Sequence, residues 1–126
     1  VINEGTARGS ALLSAAPIGF LGGVDPDTGI VVEPGHPLEG QCIAGRVLVF
    51  PTGKGSTVGS YTLFRLAQNG LGPAAIINER SEAIVAVGAI MAGIPMVDLV
   101  DIRLIAGDDI ITVEGSVITI EEQADG

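Results

Sequence analysis

The chain has 126 residues, 47% of them apolar but only 3% aromatic, with 19 glycines, one cysteine and a net charge of −9. Residues 1–126 are therefore read as a single domain with a core of Val, Ile, Leu and Ala and many tight turns. Six basic residues cannot neutralise a phosphate track, which excludes nucleic acid, and no apolar run reaches the ~20 residues of a membrane span.

In chain order, the first forty residues read as short strands and turns. Ser10–Leu13 and Ile18–Leu21 suggest strands. Asp25-Pro26 and Thr28-Gly29 mark successive turns, with Asp25 structural, and Ile30–Val32 is a brief strand closed by Pro34-Gly35-His36-Pro37. Between Gly40 and Ala44 lies Cys42, the sole cysteine. It can form no internal disulfide and cannot alone hold zinc or an iron–sulfur cluster. Its apolar neighbours predict a buried, reduced thiol; with no signal peptide visible, a cytoplasmic protein is expected.

Arg46–Phe50 is an apolar, β-branched run, the mark of a strand buried on both faces. Helical spacing of Val58, Thr62, Leu63, Leu66 and Ala67 predicts a helix over 58–68, stopped by Asn69-Gly70. A strand at Ala74–Asn78 follows, then a helix over 82–92 capped by Ser81, then a short strand at Ile94–Val97. This βαβαβ order implies a parallel sheet with right-handed crossovers. Asp109–Val113 and Val117–Glu121, joined by Glu114-Gly115-Ser116, make a terminal hairpin suited to an antiparallel or barrel layer. The fold class is α/β, with a parallel βαβαβ portion and additional strands in a barrel-like layer.

The richest segment is Pro51-Thr52-Gly53-Lys54-Gly55-Ser56-Thr57-Val58-Gly59-Ser60-Tyr61, a strand-to-helix turn. Unpaired N–H groups and the positive end of the helix dipole converge there, so it can hold an anionic ligand. Ser56 or Thr57 could also be a purely local N-cap. A cap needs one hydroxyl, however, whereas close approach of a ligand to backbone needs glycines. The segment is not a Walker A loop, because Gly55 separates Lys54 from Ser56. Asn78-Glu79-Arg80 and Asp98 follow the next two strands and share this sheet edge, where ligands usually bind; Asn78 and Asp98 read as turn and cap residues.

These motifs resemble the small subunit of the aconitase X family. The resemblance runs through Gly22–Gly29, His36–Gly40, Ala44–Pro51, Gly53–Tyr61, Pro73–Asn78 and Ala86–Pro95, nearly the whole chain in one order. It implies a swivelling β/β/α domain paired with an aconitase-X-type large subunit, whose own cysteines hold an iron–sulfur cluster of the [4Fe-4S] type. The Lys-Gly-Ser-Thr-Val-Gly-Ser-Tyr form is similar to that of members dehydrating (R)-5-phosphomevalonate to trans-anhydromevalonate 5-phosphate in archaeal isoprenoid synthesis. Members that dehydrate a hydroxyproline tend to carry a serine run after Arg-Gly. That activity is the alternative, as is a non-catalytic module holding a phosphorylated metabolite.

By the same resemblance, Ser56 takes the place of the base, the first serine of the Gly-Ser-Ser-Arg turn of aconitases. Thr57 stands where that pattern has Ser and Val58 where it has Arg, which leaves the seat of the substrate's carboxylate to Lys54 or to the large subunit. Gly53, Lys54, Gly55, Thr57, Gly59 and Ser60 are the expected substrate-binding residues, and no metal ligand is expected in this chain. Three further features stay open. His36, the only histidine, is a general acid, a contact residue or a loop residue. Arg46 reaches an anion or pairs with a carboxylate. Gly22-Gly23 approaches a ligand or makes a tight turn.

Overall fold

The computed structural model describes residues 2–19, 23–53, 57–107, 109–115 and 117–121, with backbone alone at 57–59. Among these residues, six strands form one sheet: β1 (Thr6–Leu13), β2 (Val47–Phe50), β3 (Ala75–Asn78), β4 (Met96–Val97), β5 (Ile110–Glu114) and β6 (Val117–Glu121). Their spatial order is β4-β3-β2-β1-β5-β6. The first four are parallel, whereas β5 joins β1 antiparallel and β6 pairs with β5 antiparallel. Helices α1 (Thr57–Gln68) and α2 (Ala83–Ala92) are the crossovers from β2 to β3 and from β3 to β4. The expected α/β swivel architecture is what the chain adopts: a mixed sheet curled into a half-barrel, with two helices.

The sheet alternates between two apolar clusters, as a period of two requires. Leu12, Leu48, Phe50, Ile76 and Met96 point to the face covered by Leu63, Leu66, Val85 and Ala89 of the helices. Ala11, Val47, Val49, Ala75, Ile77, Val97, Ile111 and Val113 point the other way, with Ile102 and Ile105. Because β2 and β3 are buried on both faces, they read as unbroken apolar runs. The helices cross closely at Gly88, where an added Cβ would lie 3.1 Å from the Ser60 Cα.

Several boundaries differ from the sequence reading. β1 begins at Thr6, four residues early, because Thr6–Ser10 pair with Glu114–Ile110 across the chain. Ile18 makes only an isolated parallel bridge to Gly53, while Phe20, Leu21 and Gly22 lie outside the described residues. Ile30–Val32 forms bridges to Cys42 and Val24 rather than a strand. Helix α2 is capped by Glu82, not Ser81: the Glu82 carboxylate accepts from the N–H groups of Ile84 at 3.0 Å and Val85 at 3.1 Å. At α1, the predicted stop holds, with Gly70 at φ 72° and Leu71 N–H returning to the Leu66 carbonyl. In the hairpin turn, Gly115 takes φ 60°, while Ser116 lies outside the described residues.

Cys42 corrects its expectation. It is exposed, with its thiol 3.6 Å from the Thr28 carbonyl. Its neighbour Ile43 takes the inward position of this extended stretch, so Cys42 faces out. The Asp25 turn is structural as read: its carboxylate accepts from Asp27 N–H at 2.9 Å.

Candidate functional site

The carboxyl ends of the four parallel strands bring together Ser14, Pro51, Asn78 and Asp98, each the first or last residue at its strand's end. Helix α1 starts at this edge, and so does α2. The edge therefore gathers two helix N-termini, although that of α2 is already satisfied by Glu82. Two clefts open here and share Pro51 and Glu79 as walls. The larger, about 570 Å³, is lined by Leu13, Ser14, Pro37, Ile102 and Ile105 among others. The smaller, about 330 Å³, is lined by Pro51, Thr52, Glu79 and Arg80.

The turn itself is anchored at its start. The Pro51 carbonyl accepts from the N–H groups of Glu79 at 3.1 Å and Arg80 at 3.0 Å, and the Thr52 carbonyl accepts from Ile18 N–H at 3.3 Å. Gly53 is buried, and a Cβ there would stand 2.5 Å from Val85 Cγ2. The first turn of α2 thus demands a glycine at this position. Lys54, Gly55 and Ser56 lie outside the described residues. Thr57 and Gly59 belong to the first turn of α1, and Ser60 is buried where α1 meets Gly88 of α2.

Asn78, read from sequence as a turn residue, is a fully buried side chain at the end of β3. Its Nδ2 donates to the Phe50 carbonyl at 2.9 Å and contacts the Ile77 carbonyl at 3.2 Å. Those two acceptors fix the amide's orientation. Among the described residues its Oδ1 has no hydrogen-bond partner, at a typical cost of ~1–3 kcal/mol. Because Asn78 pairs in register with Phe50, it points to the helix-covered face, toward the N-terminal ends of α1 and α2. The only sequence signal was a polar residue closing an apolar strand.

Around this edge runs the segment after β4. The Leu99 and Val100 N–H groups donate to the carbonyls of Glu79 at 3.1 Å and Asn78 at 3.2 Å. Leu99 takes φ 59°, the left-handed region, with its side chain 83% exposed; that conformation costs a branched residue ~1–2 kcal/mol. A short 3₁₀ turn at Ile102–Leu104 follows, unforeseen in the sequence, and it leaves Leu104 72% exposed. Asp101 caps it, accepting from Arg103 N–H at 3.1 Å and Nε at 2.9 Å. The Arg103 side-chain bonds, then its backbone N–H, hold the Asp101 carboxyl below its ordinary value of 3.8.

His36 is a structural residue here. Its Nδ1 accepts from Leu38 N–H at 3.1 Å, so Nε2 carries the proton and donates it to the Pro17 carbonyl at 3.0 Å. Neither ring nitrogen is left for acid–base work in that arrangement. Arg46 sits at the start of β2, about 13 Å of strand away from the carboxyl edge. There it holds the carbonyls of Ser10 and Ala11 at 3.3 and 2.7 Å.

Among the described residues, no group of three or more His, Cys, Asp or Glu side chains is placed to hold a metal. Nor is any helix among them long and apolar enough to cross a membrane.

A family model for the aconitase X swivel domain matches residues 1–121. Over 120 residues the chain is 54% identical to a Methanocella arvoryzae protein named phosphomevalonate dehydratase small subunit, covering 93% of this chain and 91% of that one. A Pyrococcus furiosus protein of the same name is 50% identical over 125 residues, 99% of this chain and 93% of its own. Among solved structures, the crystal structure of Thermococcus kodakaraensis aconitase X in its holo-form matches with a TM-score of 0.93. The two are 47% identical, over 96% of this chain and 94% of the matched one.

Proposed function

The chain belongs to the aconitase X swivel-domain family, and we propose that it is the small subunit of a two-chain hydro-lyase dehydrating (R)-5-phosphomevalonate to trans-anhydromevalonate 5-phosphate. One observation carries this reading: half or more of the residues are identical, over nearly the full length, to proteins named as that small subunit. The geometry supports a shared site, since Gly53 and the first turn of α1, which begins at Thr57, lie at the carboxyl edge of the parallel strands.

The larger chain seats on this edge. Leu99 and Leu104 offer it apolar contacts beside the clefts. An iron–sulfur cluster does not fit this chain's described side chains, whose one cysteine is exposed and lies in no group of ligands. We assign a [4Fe-4S] cluster to the larger chain; when bound, it supplies a Lewis acid for the substrate's hydroxyl and carboxylate. The assembly works in the cytoplasm, in keeping with a chain that forms no internal disulfide.

In the reaction, a C2–H bond and the C3–O bond break, a C2=C3 double bond forms, and water leaves. Ser56 takes the C2 proton. An alkoxide is a viable base only where it is strongly stabilised, as at a dry helix N-terminus ringed by N–H donors. Thr57 and Gly59 belong to that first turn, Ser60 stands one turn on, and Gly53, Lys54 and Gly55 lead into it. Lys54 adds a point charge for the alkoxide or the phosphate.

The test is to mix the chain anaerobically with its larger partner and follow 5-phosphomevalonate by phosphorus NMR. A dehydrated phosphorylated product is expected only with both chains present. Ser56→Ala should lower turnover by about 10²–10⁴-fold without weakening assembly. Near-wild-type turnover by that variant would remove Ser56 as the base. Dehydration of a hydroxyproline instead would reassign the substrate.

A further inference from the structure

Anionic side chains outnumber cationic ones by fifteen to six in this chain, so any cation left unpaired is a notable feature. Of the arginines, all five are described. Arg8 pairs with Glu121, Arg65 with Asp27 and Arg103 with Asp101, while Arg46 holds two carbonyls. The guanidinium of Arg80 alone makes no hydrogen bond or ion pair among the described residues. Its backbone is nonetheless fixed, because Arg80 N–H donates to the Pro51 carbonyl at 3.0 Å. Arg80 lines the smaller cleft with Pro51, Thr52 and Glu79, and Thr52 immediately precedes Gly53 in the chain.

We infer that Arg80 is a substrate-binding residue whose guanidinium takes an oxyanion of the substrate, a carboxylate or a phosphate. A planar guanidinium meets such groups with two parallel hydrogen bonds, which a lysine cannot reproduce. The backbone anchor limits where the cation can reach, and the two clefts joined at Pro51 and Glu79 give a molecule with two anionic ends room along the edge. The sequence places Arg80 with Asn78 and Glu79 on the ligand-binding sheet edge but gives it no role of its own. Its unpaired state is visible only once the partners of the other arginines are known.

This inference rests on the dehydratase reading, and the experiment separates the two. The assembled wild-type enzyme is assayed first; if it fails to dehydrate 5-phosphomevalonate, the dehydratase reading itself falls. With an active wild type, Arg80→Gln should raise KM about 10- to 100-fold, the loss of a charge-assisted hydrogen-bond pair. kcat, subunit affinity and Tm should stay near wild type, and Arg80→Lys should recover part of the loss. Unphosphorylated mevalonate then identifies the oxyanion. A penalty that disappears with it assigns Arg80 to the phosphate, and one that persists assigns it to the carboxylate. A KM within threefold of wild type for Arg80→Gln would overturn the inference. So would weakened subunit association at unchanged KM, because Arg80 would then be pairing with the partner chain.

Discussion

The two ends of the parallel strands are built to different standards. At the amino end, the polar side chains of Asn3 and Arg46 are matched. Asn3 donates to the Ile94 carbonyl at 2.8 Å, Arg46 holds two carbonyls, and Gly93 closes α2 in the left-handed conformation only glycine adopts freely. At the carboxyl end, Asn78 Oδ1 is buried without a partner and Arg80 is unpaired among the described residues, and Leu99 is strained and exposed. One sheet thus carries a closed end that stabilises it and an open end that leaves chemistry unsatisfied. Such departures concentrate where function demands them.

The largest stability effect that would sharpen this contrast comes from placing an isosteric carboxylate at each end. Asn78→Asp replaces two donated hydrogen bonds with repulsion from the Phe50 and Ile77 carbonyls, in a site sealed from water. It should cost about 3 kcal/mol or more, as a buried uncompensated charge does. Asn3→Asp, only partly buried, should cost about 1 kcal/mol. Urea unfolding of both variants measures the pair. Equal costs would mean that the orphaned amide at the carboxyl end is not under special constraint.

Next in size is Gly53→Ala. The new methyl would meet Val85 Cγ2 at 2.5 Å, and Val85 is a buried, β-branched side chain with little freedom to yield. Overpacking of this kind costs about 1–3 kcal/mol. Because Gly53 leads directly into the candidate catalytic segment, the variant should also lose turnover beyond what its Tm explains. A variant that lost stability while keeping full turnover in the assembled enzyme would uncouple the Val85 contact from the site.

What the sequence made legible was whatever local pattern decides. The run Val47–Phe50 is apolar throughout because both faces of β2 are covered, and it read directly as a buried strand. Gly70 marked the end of α1 through its backbone preference. Features decided by distant partners stayed hidden. β1 starts at Thr6 only because β5, about a hundred residues away, pairs with it. Glu82 displaced Ser81 as the cap by using both carboxylate oxygens. At the site, Lys54, Gly55 and Ser56 were singled out by glycine spacing and by resemblance, and they lie outside the described residues. The burial of Asn78 and the isolation of Arg80 had no local signature, since each is defined by what the other strands and arginines do.

The smallest expected effect tests whether the rim of the open end is held electrostatically. Asp101 caps the 3₁₀ turn beneath Leu104 and takes two side-chain hydrogen bonds from Arg103, Nε at 2.9 Å and a terminal nitrogen at 3.0 Å. Its carboxyl is held below 3.8 by those bonds first and the Arg103 N–H second. A depressed folded-state value means the unfolded chain takes up the proton first. The contribution is therefore whole above the unfolded value and is lost as pH falls through the folded one. Asp101→Asn keeps a capping oxygen but no charge, so its Tm should sit slightly below wild type near pH 7, and the gap should close as pH falls through the lowered folded-state value. Added salt should narrow the gap at neutral pH as well, because both partners are exposed and screened. A gap that survived acid unchanged would mean that Asp101 acts through cap geometry alone, and that the rim owes nothing to its ion pair.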